Sequence, residues 1–560
     1  MPGTVTRLQT LIGGYRPNGT WTWSDGTPFD YKNFAKTDDA KQCLQLWSTN
    51  STAIHPINEY KQWDDIPCTA KFVNAVCKIS LGGNQGQAST PAPVQPSAPP
   101  APTCPPTWYY AQNLGNCYKM QQMILVVAFL ASIAASDSGW GTMTAAQIDQ
   151  FKQSLGETDV NKFDAALARA RAAAAAEEIP ESRPGVDEPI IVPKTKSNLA
   201  EDTISQINTK TGVAPHLYHG DMILTNKQID VVMPASGAAS RKKRQAQWPA
   251  ELWAGRTVYY TFATGAAALS ARAKQVALLG IDQWRKATCI SFVQSATAKN
   301  RIRFFKGDGC YSNVGMTGGV QDLSLGDGCE TIGHAAHELG HALGFWHTQS
   351  RWDRDTFLNV ILARIPAQWR DQFSKETSAT NHNYGVTYDY GSIMHYDGRE
   401  LSSTNQYYAL TKLAPTYQDN IGSYILSFNE IVMMNAHYGC PTKCTSGATC
   451  LNGGIRNPRA CNQCLCPSGW AGTQCAARPA GCGAALTATA AAQTTTIAAG
   501  SASMGQTNAF AMCNYLIRAP AGKKVQIVLT TLTNNECVDG CYHGGIEIKA
   551  MSDHRYTGIR

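Results

Sequence analysis

The sequence predicts an α+β body carrying a metal-binding helix, set within a chain of several smaller modules. Three observations point there. Strand-like and helix-like stretches alternate through the middle of the chain: R-T-V-Y-Y-T-F (256–262) alternates in polarity, a helical stretch follows over 267–285, C-I-S-F-V (289–293) and R-I-R-F-F-K (301–306) read as strands, and a helix rich in His comes next. At 560 residues the chain is too long for one hydrophobic core. Its 19 cysteines gather towards modules at the two ends, a pattern of disulfide-stapled units in an oxidising compartment.

Charge narrows the partners. The net charge of +7 is modest for this length and the basic residues are scattered, which argues against a nucleic-acid partner. The tight basic run Arg241-Lys242-Lys243-Arg244 reads as a processing site, with cleavage after Arg244. No apolar run is long enough to span a bilayer. The sequons at Asn18 and Asn50 agree with secretion.

Taken in order, residues 1–80 (W-T-W-S-D-G-T-P-F, C-L-Q-L-W, Q-W-D-D-I-P-C) resemble the second half of a C-type lectin-like domain. That resemblance implies an inner pair Cys43–Cys68 and leaves Cys77 without its partner. Trp63-Asp64-Asp65 resembles part of a calcium site, but the loop that completes one in such domains is missing, so a solvated acidic turn is expected. Residues 81–103 form a Pro, Gly, Ser and Ala-rich linker. Residues 104–119 read as the opening of a second lectin-like domain, with Cys104 and Cys117 a local pair. Residues 120–136 (M-Q-Q-M-I-L-V-V-A-F-L-A-S-I-A-A-S) have the apolar core and small-residue tail of a secretory signal peptide. Such a segment belongs at a chain start, so residues 1–119 and 120–560 are expected to derive from two neighbouring genes read as one. Residues 137–244 follow as a propeptide, helical over Thr142–Glu178 where Ala, Gln, Glu, Lys and Arg dominate.

The stretch 331–355 carries the chemistry. It contains H-E-x-x-H-x-x-G-x-x-H without mismatch: His337, Glu338, His341, Gly344 and His347. His337 and His341 stand one turn apart on one helix face, so their imidazoles can share one Zn²⁺. Gly344 permits the turn that brings His347 round as a third ligand. Three protein ligands leave a position open for water, the catalytic arrangement, with Glu338 beside the first ligand to take a proton.

Downstream, S-I-M-H-Y (392–396) supplies a Met-turn, Met394, with Tyr396 two residues later, and R-W-D-R-D follows the third histidine. Over Gln245 to Cys440 these motifs resemble the astacin family of metzincin endopeptidases. The resemblance implies a two-lobed catalytic domain (245–440) with one zinc, Glu338 as general base and then acid, Met394 as a hydrophobic floor, and Tyr396 as a resting zinc ligand that swings away to stabilise the oxyanion. It implies disulfides Cys289–Cys440 and Cys310–Cys329. It also implies latency through L-Y-H-G-D-M (217–222): Tyr218 stands for the Phe of the family's propeptide motif, and Asp221 takes the metal's open position. Activation falls to a furin-type protease. Where the family commonly has Glu after the third histidine, anchoring the mature N-terminus through water, this chain has Thr348.

Residues 441–478 resemble an EGF-like module, which implies the pairs Cys444–Cys461, Cys450–Cys464 and Cys466–Cys475, without the acidic set that binds calcium. Residues 479–560 resemble a CUB β-sandwich, with an expected truncation at the end. Together the modules resemble secreted nematode proteinases, whose substrates are extracellular matrix or cuticle collagen. The rival from another class is an extracellular lectin-like or CUB binding protein with an inert peptidase domain; the intact His337-Glu338-His341-His347 set speaks against it. Matrixin and reprolysin types lack the Tyr after the turn Met. Matrixins also use a propeptide Cys, and residues 137–244 contain none.

Overall fold

The computed structural model describes residues 143–176, 202–233, 246–247, 251–402, 406–412, 415–499, 511–533, 538–541 and 544–560, with short backbone strands between Gln9 and Lys119. The chain divides into two compact units, Met1–Met120 and Gln121–Arg560. In the first, strand Cys43–Trp47 pairs antiparallel with both Gln9–Tyr15 and Trp63–Ile66 within a six-stranded sheet. Trp108–Ala111 and Asn116–Lys119 form a separate antiparallel pair. The side chains of that unit fall outside the described residues, and with them the expected Cys43–Cys68 and Cys104–Cys117 pairs, the reading of Asp64 and Asp65, and both sequons. The segment 120–136 and the run 241–244, with Arg244, fall outside them as well.

The second unit opens with helices α1 (Ala145–Ser154), α2 (Val160–Ala176) and α3 (Ile204–Thr211), strand β1 (Met222–Ile223) and helix α4 (Asn226–Val232). The single helical stretch expected over 142–178 is two helices. Gly156, at φ +59°, turns the chain between them, and Asp159 restarts it by accepting from Lys162 N at 3.1 Å. Thr144, Thr203 and Thr225 each open a helix with a capping box, the Gln three residues on reaching back to the Thr backbone.

The body continues with β2 (Ala246–Gln247), β3 (Thr257–Phe262), α5 (Ala271–Ala287), β4 (Ser291–Gln294), β5 (Arg301–Phe305), β6 (Cys310–Asn313), β7 (Val320–Leu325), α6 (Ile332–Ala342), β8 (Asn381–His382) and α7 (Phe428–His437). Helix α5 starts four residues later than the sequence suggested, because Ser270 caps it by accepting from Ala273 N at 3.0 Å. Strand β4 likewise begins at Ser291 rather than Cys289.

Six strands form one sheet in the order β4-β3-β5-β7-β6-β1. Only β6 runs antiparallel to its body neighbour β7. The outermost strand β1 belongs to the segment ahead of the body. It pairs parallel with β6, Met222 opposite Ser312 and Ile223 opposite Asn313.

Beneath the sheet α5 and α6 cross at very short range. A Cβ on Gly280 would lie 3.1 Å from Ala336 N, so the absence of a side chain sets the approach. Trp284 Nε1 donates to Ala336 O at 2.9 Å. Val276, Ala277, Trp284, Ala335, Ala336 and Leu339 are buried there, and a fully buried Leu or Val contributes about 1.5–3 kcal/mol. This packing fixes α6, the helix that carries the histidine motif.

Disulfides Cys289–Cys440 and Cys310–Cys329 form as the resemblance implied. The first closes a separation of 151 residues, and in the chain-entropy view such a long loop gives close to the largest stabilisation a disulfide provides. Cys444–Cys461, Cys450–Cys464 and Cys466–Cys475 staple the following module in the expected order. Beyond it come the described residues of the stretch read as CUB-like. They hold Cys482–Cys513 and one pair of short parallel strands, Ala485–Thr487 with Leu516–Arg518. Val528 and Leu529 are exposed there. No described helix is long and apolar enough to cross a membrane.

Candidate metal centre

Thr331 opens α6 by accepting from His334 N at 3.0 Å. The other end is a Schellman motif, with Phe345 N donating to Gly340 O (3.0 Å) and Gly344 N to His341 O (2.7 Å). Gly344 sits at φ +107°, and a Cβ there would lie 2.7 Å from His437 Nε2, so both conformation and space require glycine. This turn reverses the chain and aims His347 back at the helix.

The three rings converge. His341 Nε2 lies 3.0 Å and His347 Nε2 3.3 Å from His337 Nε2. Carbonyls fix two tautomers: His337 Nδ1 donates to Ile393 O and His341 Nδ1 to Phe345 O, each at 2.7 Å. A carbonyl can only accept, so both Nδ1 atoms carry the proton and both Nε2 lone pairs face inward. Lone pairs crowded this closely repel unless a cation lies between them.

Asp221 completes the cluster. Its Oδ2 lies 2.9 Å from His347 Nε2 and 3.3 Å from His337 Nε2, and its Oδ1 3.6 Å from His341 Nε2. One ligand atom from each of the four residues fits within 4.8 Å, and all four are buried. This donor set, three imidazoles and a carboxylate, fits Zn²⁺. Glu338 adjoins it with both carboxylate oxygens buried and unpartnered, an orphaned acceptor where a water belongs. Burial first, and the Asp221 charge second, push its carboxyl well above the ordinary value. Burial works to raise Asp221 too, but the imidazoles of His347 and His341 outweigh it and hold that carboxyl well below the usual range. Burial depresses His347 to about 4 against the opposing pull of Asp221, with the neighbouring imidazoles adding to the burial.

Asp221 is held from several sides. Ser312 N donates to its backbone carbonyl at 3.0 Å. Asn208 on α3 donates to Gly220 O (2.8 Å) and to Cys310 O (2.6 Å) while accepting from Cys310 N (2.8 Å), so one amide clamps the segment to the sheet edge. Gly220, at φ +80°, passes where a Cβ would stand 2.9 Å from the Tyr396 hydroxyl. Tyr218 donates to Glu376 at 2.8 Å and stacks on His219, ring centroids 3.9 Å apart.

The Met-turn lies beneath. A Cβ on Gly340 would come within 2.6 Å of Met394 Sδ, so the thioether packs directly on the helix backbone between the ligands. The Tyr396 hydroxyl donates to His219 O, a contact with the covering segment rather than with the histidines. The third-ligand neighbour also differs from the family's common pattern. Thr348 Oγ1 meets Ser392 Oγ at 2.6 Å, and Ser392 donates to Glu430 at 2.5 Å. Glu430 also accepts from Ile393 N and Met394 N, each at 3.2 Å. A carboxylate does serve this region, but it comes from α7 and grips the Met-turn.

Sequence reading missed Glu430, Asn208, Asp371 and Glu376. S-F-N-E (427–430) does spell a capping box, and Glu430 makes one, but that signal reports a helix start and not the turn it holds.

Residues 245–439 match the peptidase family described as Astacin. Zinc metalloproteinase nas-17 of Caenorhabditis elegans is 35% identical over 338 residues, covering 60% of this chain and 76% of that protein. The chain belongs to the astacin family. Two further relatives of the same organism share more identity over less of their length. Zinc metalloproteinase nas-31 is 45% identical over 379 residues, 66% of this chain and 61% of that protein. For nas-32 the figures are 40% over 359 residues, 63% and 54%. The match therefore spans less than two thirds of either. Astacins are zinc enzymes, and the His337-His341-His347 cluster has the donors and tautomers to hold that metal.

Proposed function

We propose that this chain is a secreted zinc metalloendopeptidase, made latent by residues 137–244 and activated by cleavage after Arg244. The observation that carries the reading is the buried cluster in which Asp221 meets His337, His341 and His347 while Glu338 stands beside them without a partner. Zinc held by the three histidines would supply a Lewis acid that acidifies water and polarises a carbonyl. Glu338 takes the proton from the attacking water and passes it to the leaving amine. Once His219 departs, the Tyr396 hydroxyl is free to donate to the developing oxyanion. Ile393 O and Phe345 O keep two imidazoles in the tautomer that ligates. The substrate adds a strand at the β6 edge that β1 occupies before activation. Secretion is supported by the disulfides, and extracellular matrix or cuticle proteins are the proposed substrates.

The test expresses the full chain for secretion and measures zinc and cleavage of a broad peptide library before and after furin. One zinc per chain, with activity appearing after cleavage, is the expected result. Bound zinc without activity under either condition refutes the peptidase reading, and full activity before cleavage refutes latency.

A further inference from the structure

The segment from Tyr218 to Ile223 crosses the histidine cluster with a different neighbour on each side. Past Asp221, Met222 and Ile223 pair with the sheet edge. Ahead of it, Gly220 lies against Gln372 and Tyr396, and Tyr218 meets Glu376. On this second side two body carboxylates are buried beneath the segment, Asp371 and Glu376. Asp371 Oδ2 lies 3.4 Å from Arg171 Nε on α2, and its Oδ1 has no hydrogen-bond partner. Glu376 accepts from Tyr218 and from Thr380.

The body's own cations here are committed elsewhere. Arg354 binds Asp355 (2.9 Å) and the carbonyls of Gln349 and Phe373 (3.1 and 2.7 Å). Lys375 also pairs with Asp355, and Arg370 Nε donates to the carbonyls of Leu362 and Ile365. The body from 245 to 440 contains equal numbers of basic and acidic side chains, so the acidity is local to this wall. Removing the segment would take away the Asp371 counter-ion and one donor to Glu376 together.

We infer that the wall formed by Asp371 and Glu376 is a subsite for cationic peptide side chains, Lys or Arg, and that Arg171 fills it in the latent chain. This rests on the proposed peptidase activity and on removal of residues 137–244. A cation held at ion-pair distance from a buried carboxylate is screened far less than one in water, so a net preference of about tenfold or more is expected. Glu251, at the sheet edge, also pairs with the segment through Lys227 at 3.1 Å. There the Lys side chain is 68% exposed, so water screens the pair and the preference is weaker.

The experiment uses the full chain processed by furin, with peptides carrying Lys, Arg, Gln or Glu at one position at a time on both sides of the scissile bond. Lys and Arg should exceed Glu by about tenfold or more in kcat/KM at one or two neighbouring positions on one side. Asp371→Asn with Glu376→Gln should collapse the Lys-to-Gln ratio towards one, mainly through KM. Raising salt should shrink the same ratio in the unaltered enzyme, a readout that does not depend on the variants folding. Equal or better cleavage with Glu at every position, or a Lys preference that survives in the double variant, overturns the subsite. No cleavage of even the Gln peptides overturns the peptidase reading, and the subsite with it.

Discussion

The two sides of the histidine cluster are held by different means. On the helix side, residues 331–347 are contiguous, and local rules place the three histidines: a Thr cap, one face of α6, a Schellman turn at Gly344. On the covering side, Asp221 arrives by an irregular path through His219 at φ +46° and Gly220 at φ +80°. It stays there through an Asn208 clamp, a two-residue strand and the Tyr218–Glu376 hydrogen bond. The first arrangement is intrinsic to the body. The second depends on groups ahead of the body, and in the proposed reading that difference suits one side to permanent chemistry and the other to a removable block.

Breaking the permanent side should have the largest effect. Glu338→Gln keeps the histidines and their carbonyl partners, so zinc content should remain near one per chain while peptide cleavage after furin falls roughly a thousandfold. Near-normal turnover would refute the role given to Glu338.

Breaking the removable side should loosen latency without touching the final enzyme. Asp221→Ala removes charge-assisted contacts worth about 1.5–3 kcal/mol each. Cleavage of a small peptide by the unprocessed chain should therefore rise roughly ten- to a hundredfold, while the furin-treated variant matches the parent. Unchanged latency would place the block elsewhere along the segment.

The smallest expected effect is in pH. Burial raises the Glu376 carboxyl above its usual range, against the hydrogen bonds from Thr380 and Tyr218. The segment covers this carboxyl through Tyr218, and the burial it adds favours protonated Glu376. This contribution is complete below the free carboxyl's ordinary pKa and is lost as pH rises through the raised value. After cleavage at Arg244, release of the segment followed by size-exclusion chromatography should become easier as pH climbs through that window, by roughly several-fold, and Glu376→Gln should flatten the trend. A slope unaltered in Glu376→Gln would assign it to another group.

The same contrast explains what could be read in the sequence. His337, Glu338, His341 and His347 were legible because helix periodicity and metal chemistry both act over a few residues. Asp221 was legible only through the resemblance of L-Y-H-G-D-M to a family motif. Asp371, Glu376 and Asn208 were not legible, because their partners lie 158 residues away for Glu376 and 102 for Asn208. No local pattern encodes such pairings. The α1–α2 break and the late start of α5 were missed for a smaller reason: Gly156 and Ser270 act through conformation and capping, which composition over a window averages out.

The Glu430 contacts have a consequence for biosynthesis. The motif helix emerges from the ribosome first, but the carbonyl that orients His337 comes from Ile393, and the carboxylate that steadies that turn comes later still, on α7. Cys440, which ties α7 to the start of β4 through Cys289, is later again. A nascent chain halted just after His347 carries all three histidines and lacks the carbonyl that orients His337 and the carboxylate that steadies it. Assembly of a working centre therefore waits on the last helix of the body, by which time Asp221, made long before, already stands ready to cover it.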